Sequence, residues 1–455
     1  MTSKELRLEL ARAASRRVSG LWELVRPYYL KWFYFPWKPE HRPRHFRDCW
    51  RYPVATAQDL SWEGETEDPE RYDCVFLPMA DWHTSMQGSQ HLAATLASLG
   101  HRCFYVNPHL GREFPNTYFR SPRVVVSVLQ PRILELHVHL PHEPVFHHRR
   151  LRPEEIRVVA RAIENLLGPA GSTRPLLIVS LPLWMEVAVE LRKRTGCRIL
   201  YDCHDLLAGF GSYSPDLLAA EGRLLALSDL VVFSSKWLMK HTLGQHPAVE
   251  GKAALVRNAA NRRDFQAPRN NGKAGKTIGY VGALNFWFDT EFVKLAALSH
   301  PEWRFLMIGR VGSRKLDALR GLPNVVFRGE VPYADLASLL SEVDVAMIPF
   351  VRCPLTLATN PIKLYEYFAC GLPVVSTRLP EVELFPGLVY CADSAEQFVH
   401  QIENALREND PRLRARRREV AQRESWLARC TQLNEEVRKL DASWAESGYR
   451  ATQKQ

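Results

Sequence analysis

The residues best suited to do chemistry lie in one run, Thr359-Asn-Pro-Ile-Lys-Leu-Tyr-Glu-Tyr-Phe-Ala-Cys-Gly-Leu-Pro-Val-Val-Ser-Thr377. Asn360 suits a helix N-cap and Pro361 the first helical position, so the spacing predicts a helix over Pro361–Cys370. Gly371 suits the left-handed residue that ends it, and Pro373 opens the next strand. A helix starting just beyond a strand's C-terminal end offers free N–H groups and a positive dipole to a ligand, a phosphate above all. Lys363 in the first turn opposes that dipole at a cost of ~0.3–1 kcal/mol, which an anionic ligand would offset. Glu366, three residues on, lies on the same side. Its carboxylate can accept both hydroxyls of a ribose, at roughly 1.5–3 kcal/mol per charge-assisted hydrogen bond. The same spacing fits a plain amphipathic helix with Leu364, Tyr367 and Phe368 inward and Lys363 and Glu366 solvated. Spacing alone leaves both readings open.

Two further groups of polar residues follow strands. Tyr201-Asp-Cys-His-Asp205 puts Asp202, His204 and Asp205 at a strand's C-terminal edge, where open α/β sheets place ligands. A simple cap of the strand end is the other reading of His204. Asp81-Trp-His83 stands at an equivalent edge near Gln87 and Gln90, where an ordinary exposed loop is the alternative. His137, His139, His142, His147 and His148 invite a metal reading. Their spacing is irregular and no Cys or carboxylate pattern completes a ligand set, so no metal is expected. No G-x-S-x-G elbow, H-E-x-x-H or Walker loop occurs, which leaves the hydrolase, zinc-protease and P-loop templates unsupported.

These residues need strands and helices to hold them, and from residue 71 the pattern is strand–helix alternation, the mark of a parallel α/β sheet. Strands are expected at Cys74–Pro78, Cys103–Asn107, Arg123–Leu129, Leu134–Val138, Leu176–Leu181, Arg198–Cys203 and Leu230–Ser234, with a helix at Met86–Leu99. The polar run Asn261–Lys276 reads as a linker. Alternation then restarts, with strands at Thr277–Val281, Arg304–Ile308, Asn324–Phe327, Asp344–Pro349 and Pro373–Thr377. Helices Asp289–Ser299, Tyr333–Ser341 and Pro361–Cys370 lie between them. Ala395–Leu440 reads as a charged helical tail. The organisation expected is an N-terminal extension over 1–70, two Rossmann-like α/β domains over 71–265 and 266–392 facing across a cleft, and C-terminal helices over 393–455.

The 455 residues carry 60 Lys and Arg against 50 Asp and Glu, a net +10. Residues 1–52 hold twelve basic and five acidic side chains, so +7 of the +10 belongs to this segment. Trp22–Tyr52 also holds 11 of the 47 aromatic residues. The basicity is therefore that of an arm, in which a helix opened by Thr2-x-x-Glu5 precedes the aromatic and Lys block Tyr28–Trp37 and the basic run His41–Arg51. A protein coated by nucleic acid is disfavoured and a membrane-surface arm fits, with packing of the rings onto the body as the alternative. No apolar run is long enough for a spanning helix, and the N-terminus has no secretory apolar core. Nine scattered cysteines without a C-x-x-C pair fit a reducing compartment. The expected location is the cytoplasm, peripheral at the inner face of the membrane.

The Pro361–Val375 segment resembles the donor-site signature of GT-B-fold glycosyltransferases of the family 4-like group and its polysaccharide-biosynthesis branches. The resemblance spans roughly 71–440 and takes in Gly279-Tyr-Val-Gly282, Trp303–Gly309, Val343–Phe350 and a C-terminal helix that returns to brace the first domain. It implies an α/β GT-B fold, a nucleotide-sugar co-substrate, and no metal or other cofactor. By that likeness Glu366 binds the nucleotide ribose, Gly282 and its loop with Asn285 approach the diphosphate, and the backbone near Val331 lies beside the base. His204 matches a histidine that contacts donor sugar and acceptor. Asp205 or Asp202 would orient the incoming hydroxyl, and His83 would belong to the acceptor loop. The sequence departs from the family in three places. Ala358 stands where a Glu often contacts the donor sugar, and Ala283 and Phe288 stand where an Arg and a Lys neutralise the diphosphate. Arg310 and Lys363, with Asn360 opening the helix, are expected to replace them; a surface arginine is the other reading of Arg310.

The activity implied is transfer of a sugar, with retention of configuration, to a carbohydrate or lipid-linked acceptor. A nucleotide-sugar epimerase and a catalytically degraded scaffold at a membrane are the competing readings, the second kept open by Ala358, Ala283 and Phe288.

Overall fold

The computed structural model describes residue 55 and residues 71–83, 86–110, 124–140, 149–172, 175–266 and 276–446. The basic aromatic arm, His142, His147, His148 and most of the Asn261–Lys276 linker lie outside them. The chain divides into two compact units, the first running up to Asp202 and including Phe210–Val231, the second comprising Cys203–Gly209 and Val232 onward. His204 and Asp205 thus fall in the second unit and Asp202 in the first.

The first sheet has eight strands: β1 (Asp73–Leu77), β2 (Arg102–Val106), β3 (Val124–Gln130), β4 (Ile133–Val138), β5 (Pro175–Val179), β6 (Arg198–Cys203), β7 (Leu230–Phe233) and β8 (Ala253–Leu255), in the order β3-β4-β2-β1-β5-β6-β7-β8. β1, β2, β4, β5 and β6 pair in parallel. Their near-continuous apolar runs follow from burial on both faces. β3 instead folds back antiparallel on β4 through Pro131 and Arg132, the latter at φ 66°. Its half-exposed valines suit that edge position.

The second sheet orders β9 (Lys276–Val281), β10 (Trp303–Ile308), β11 (Val325–Gly329), β12 (Val345–Ile348), β13 (Val374–Thr377) and β14 (Val389–Ala392) as β11-β10-β9-β12-β13-β14. All five pairings are parallel. Counted from β9 this is the doubly wound order of a dinucleotide-binding sheet, whose strand sequence reverses direction between β9 and β12. Ligands of such sheets bind at the C-terminal ends of those strands.

The helices used below are α1 (Gly88–Ser98), α2 (Thr290–Ser299), α3 (Pro354–Ala358), α4 (Ile362–Cys370), α5 (Ala395–Arg407), α6 (Pro411–Arg423) and α7 (Trp426–Glu446). The structure corrects several sequence-based expectations. Tyr333–Ser341 is a short turn at Tyr333–Asp335 followed by a five-residue helix, Leu336–Leu340. The tail is three helices, with Asp410 capping α6 through the Arg412 N–H and Pro411 fixing its first turn. The linker starts later than its polar composition suggests, because Arg262–Phe265 forms a turn that buries Phe265 in the second core. Helices at Pro153–Leu167, Met185–Thr195, Pro215–Leu227 and Lys236–Gln245 were not apparent from alternation. No disulfide joins two of the described cysteines.

The C-terminal helices are fastened by charge and hydrogen bonds as well as apolar contact. In α6 the fully buried Arg417 donates to the Leu388 carbonyl at 2.9 Å and to both carboxylate oxygens of Glu408 at 2.6 and 2.5 Å. In α7 the Gln432 side chain donates to the Leu255 carbonyl of β8 at 2.8 Å. Removing one partner of a buried pair strands the other charge. Arg417→Ala is therefore expected to lower stability by about 3–5 kcal/mol in urea unfolding; a loss below about 1 kcal/mol would show that the pair does not hold α6.

Candidate functional site

The site grows from the ends of β9 and β10. Gly282 follows β9 at φ +130°, and Gly309 follows β10 at φ +140°. A Cβ on Gly309 would sit 2.0 Å from the Gly282 carbonyl oxygen, so only glycine allows the two loops this close. Beyond them the Leu284 N–H donates to the Arg310 carbonyl and the Gly312 N–H to the Leu284 carbonyl, at 3.0 and 2.8 Å. Asn285 turns its side-chain oxygen back to the Phe286 N–H at 2.8 Å. Arg310 is exposed, and its guanidinium has no hydrogen-bond or ion-pair partner among the described residues.

α4 supplies the charged pair. Its buried residues Leu364, Tyr365, Tyr367 and Phe368 bind it to the second core, and the Tyr367 hydroxyl accepts the Val281 N–H at the end of β9 at 2.8 Å. Lys363 is half-buried, its Nζ 5.4 Å from the Tyr280 ring centroid and 5.0 Å from that of Phe350. A Cβ on Gly282 would lie 3.2 Å from that Nζ, which places the amine directly over the glycine loop. Glu366 is buried, and its carboxylate makes no hydrogen bond to a described residue. Burial raises its pKa to about 7; Lys363 pulls it down and Asp264 pushes it up. Burial likewise lowers the Lys363 amine to about 8, against the opposing pull of Glu366 and Asp205. Two adjacent groups, each shifted toward its neutral form, make a site poised for a ligand that supplies the missing partners.

Asn360 is not the N-cap of α4. Pro361 takes that position, without a side-chain cap. The Asn360 amide is drawn elsewhere: its oxygen accepts the Asn258 N–H at 2.8 Å, and its nitrogen donates to the Tyr365 hydroxyl and to Glu381, both at 3.0 Å. Its backbone carbonyl accepts from the Asn258 side chain at 2.6 Å. Glu381 in turn accepts from Arg257 and from the Lys236 N–H, at 2.7 and 2.8 Å. Asn360 therefore positions α4 through this network.

His204 is half-buried and gives its carbonyl to the Ser234 hydroxyl at 2.7 Å. Its Nε2 is 3.9 Å from Asp205, a charge contact beyond hydrogen-bond range. Asp205 acts electrostatically on Lys363, which puts it beside the charged pair of α4. Val331 packs half-buried on the second core. In the first unit, Asp202 accepts from Ser180 at 3.0 Å. His83 also lies there, its Nε2 2.8 Å from Glu135. Burial works to raise the Glu135 carboxyl, and the imidazoles of His137 and His83 overcome it to hold it at about 2. Glu135, Asp264, Tyr280, Phe350 and Glu381 were not among the residues singled out from sequence. Only Glu135-x-His137, with both side chains on one strand face, left a readable signal.

Comparison with known proteins adds a family likeness. The model for glycosyl transferases group 1 matches residues 275–408. The chain as a whole has the GT-B fold. It is 29% identical over 253 residues to a protein of Bacillus subtilis (strain 168) named "Putative teichuronic acid biosynthesis glycosyltransferase TuaH". The match covers 50% of this chain and 64% of that relative, so it spans less than two thirds of the relative's length. The sucrose-phosphate synthase of Thermosynechococcus elongatus superposes with a TM-score of 0.63 at 19% identity, over 82% of this chain and all of that one. Anabaena HepE, solved with UDP and glucose, gives 0.58 at 14% identity, over 80% of this chain and 99% of its own. These two likenesses show the fold, two Rossmann-like sheets.

Within the residues that match this family model the departures noted in the sequence acquire physical roles. Phe288 is buried edge-on against Tyr280, with ring centroids 4.9 Å apart, so it serves the core. Ala283 is exposed, and its carbonyl accepts from the Tyr280 hydroxyl and the Trp287 indole, at 3.0 and 3.3 Å. Ala358 is fully buried at the end of α3, its carbonyl bonded to the Ser235 hydroxyl at 2.5 Å. Lys363 then places a cation over the glycine loop. Its amine should titrate near pH 8 by side-chain 15N NMR, and Glu366→Gln should lower that midpoint further, because the carboxylate favours the charged amine. A midpoint at the ordinary 10.5 would show that Lys363 is not buried as described.

Proposed function

We propose that this protein is a glycosyltransferase that moves a sugar from a nucleotide-sugar donor to a carbohydrate or lipid-linked acceptor in polysaccharide-type synthesis, with retention of anomeric configuration. One observation carries the reading: Glu366 is a buried carboxylate with no hydrogen bond to a described residue, next to Lys363 and the Gly282 loop. Ribose hydroxyls donating to Glu366 would supply those bonds. The diphosphate would lie against Lys363, the Gly282 and Asn285 loop, the first N–H groups of α4 and the unpaired guanidinium of Arg310. Transfer requires charge to build on the leaving diphosphate, and preset cations and N–H groups stabilise it without reorganising. His204 and Asp205 are assigned to the reacting sugar and hydroxyl. Asp202 and His83 are assigned to the acceptor, and the backbone near Val331 to the base. The name of the Bacillus relative and the nucleotide in the HepE complex are compatible with such a donor and acceptor class.

Incubation with UDP-, GDP- and other nucleotide-sugars tests the proposal, through release of nucleoside diphosphate and the anomeric configuration of the product. An epimerase would alter the sugar without release. A scaffold, the reading that Ala358, Ala283 and Phe288 keep open, would do neither. Glu366→Gln is expected to weaken donor binding about 10-fold or more by calorimetry, the equivalent of one charge-assisted hydrogen bond of roughly 1.5–3 kcal/mol. Arg310→Ala should weaken it as well, and unchanged affinity would remove Arg310 from the site. Affinity should rise with pH through about 7 as Glu366 ionises, and fall above about 8 as Lys363 loses its proton. A flat profile would detach the pair from binding.

We also assign residues 1–52 to a membrane surface. The assignment rests on the +7 charge and the Tyr28–Trp37 rings, worth ~1 kcal/mol per basic residue near anionic lipid. No helix among the described residues is long and apolar enough to cross a membrane. Deleting residues 1–60 should abolish flotation with anionic liposomes; unchanged flotation would sink the assignment.

A further inference from the structure

The first unit holds a second constellation, remote in chemistry from the nucleotide residues. It is built at the C-terminal ends of β1 and β4. Glu135 and His137 are alternate residues of β4 and share one face of the sheet. His83 arrives from the turn after β1. Both His83 Nε2 and His137 Nε2 lie 2.8 Å from the same oxygen, Glu135 Oε2. The three atoms are all within 4.8 Å of one another. The side chains are 4%, 5% and 1% exposed for His83, His137 and Glu135.

We propose that His83 Nε2, Glu135 Oε2 and His137 Nε2 are the protein ligands of a divalent transition-metal ion of the zinc class. Two imidazoles and a carboxylate are a donor set that zinc takes, and three protein ligands leave a position for water or a substrate oxygen. Around a tetrahedral ion with bonds of ~2.0–2.2 Å the ligand atoms stand about 3.4 Å apart. The two imidazole–carboxylate gaps therefore have to open by about 0.6 Å.

The surroundings favour this over a plain hydrogen-bonded cluster. The Asn107 amide donates to the other Glu135 oxygen, Oε1, at 2.8 Å, so the carboxylate is oriented from behind and Oε2 is presented forward. The His109 N–H fixes that amide by donating to its oxygen at 2.9 Å. Asp81 accepts the His83 N–H at 2.9 Å, while its backbone carbonyl takes the Gln90 side chain of α1 at 3.0 Å, which fixes the turn carrying His83. Such outer contacts are what orient metal ligands. The charge count agrees. Asp73, buried in the same sheet, is paired with the guanidinium of Arg102. Glu135 has two imidazoles and an amide, and no Lys or Arg partner among the described residues. With both imidazoles neutral, as metal ligands are, a divalent ion supplies the positive charge that a guanidinium supplies at Asp73.

The proposal does not rest on the donor-site reading, and its test is independent of activity. Full-length protein stripped with a chelator is titrated with Co2+ and then Zn2+. The expected result is one Co2+ retained per chain after desalting, with the intense visible ligand-field bands of a low-coordinate nitrogen and oxygen site, displaced by Zn2+. Glu135→Gln and His137→Ala should lose the bands and the retained ion, Asn107→Ala should weaken binding about 10–100-fold, and Glu135→Gln should leave nucleotide binding intact. Only the faint spectrum of hydrated cobalt in the wild-type protein, or equal retention by wild type and Glu135→Gln, would overturn the site and leave a metal-free imidazole–carboxylate cluster. The wild-type spectrum decides even if a variant fails to fold.

Discussion

A buried carboxylate with no hydrogen bond to a described residue is the constraint around which the second unit is arranged. Burying Glu366 beside a half-buried Lys363 costs free energy on both sides, as their opposite shifts toward pH 7 and 8 record. The surrounding core has to impose that state. It does so with four large side chains of α4 and with the Tyr367 hydroxyl bonded to the end of β9, so α4 cannot swing its charges outward. The rings of Tyr280 and Phe350 then hold the amine in a place where water is scarce.

The glycine loops are the complement of that pair. Gly309 and Gly282 let two strand ends come together where any side chain would collide, and the lysine amine sits over the resulting backbone. The sheet order puts this point at the reversal between β9 and β12, the place where a doubly wound sheet leaves room for a ligand. The buried network of Asn360, Asn258, Glu381 and Arg257 holds the start of α4 from the other side. An asparagine that would serve as an ordinary cap is worth more there as a tether, since its side-chain oxygen and nitrogen and its backbone carbonyl are all hydrogen-bonded inside the protein.

The first unit applies the same rule to a different end. Three of its carboxylates have partners among the described residues: the buried Asp73 a guanidinium, the half-buried Asp202 a hydroxyl, and the buried Glu135 two imidazoles and an amide. Where the partner is an imidazole rather than a guanidinium, the carboxylate keeps an oxygen that can be shared with a cation.

The sequence by itself determined most strands, the helix ending at Gly371, and the placement of Lys363 and Glu366 on one side of it. Each of these follows from neighbours a few residues apart, through helical period, alternation and turn chemistry. What the tertiary structure alone decided depends on residues far apart in the chain. Asn360 was diverted from its cap by Asn258, 102 positions away. Glu366 was buried rather than solvated, Phe288 was taken into the core beside Tyr280, and β3 was folded back along an edge. His83 met Glu135 across 52 positions, so histidine spacing that looked irregular concealed a three-residue set. Local order can be read from local pattern. Burial and the partners of polar groups are properties of the packed chain, and they fixed the chemistry of both sites.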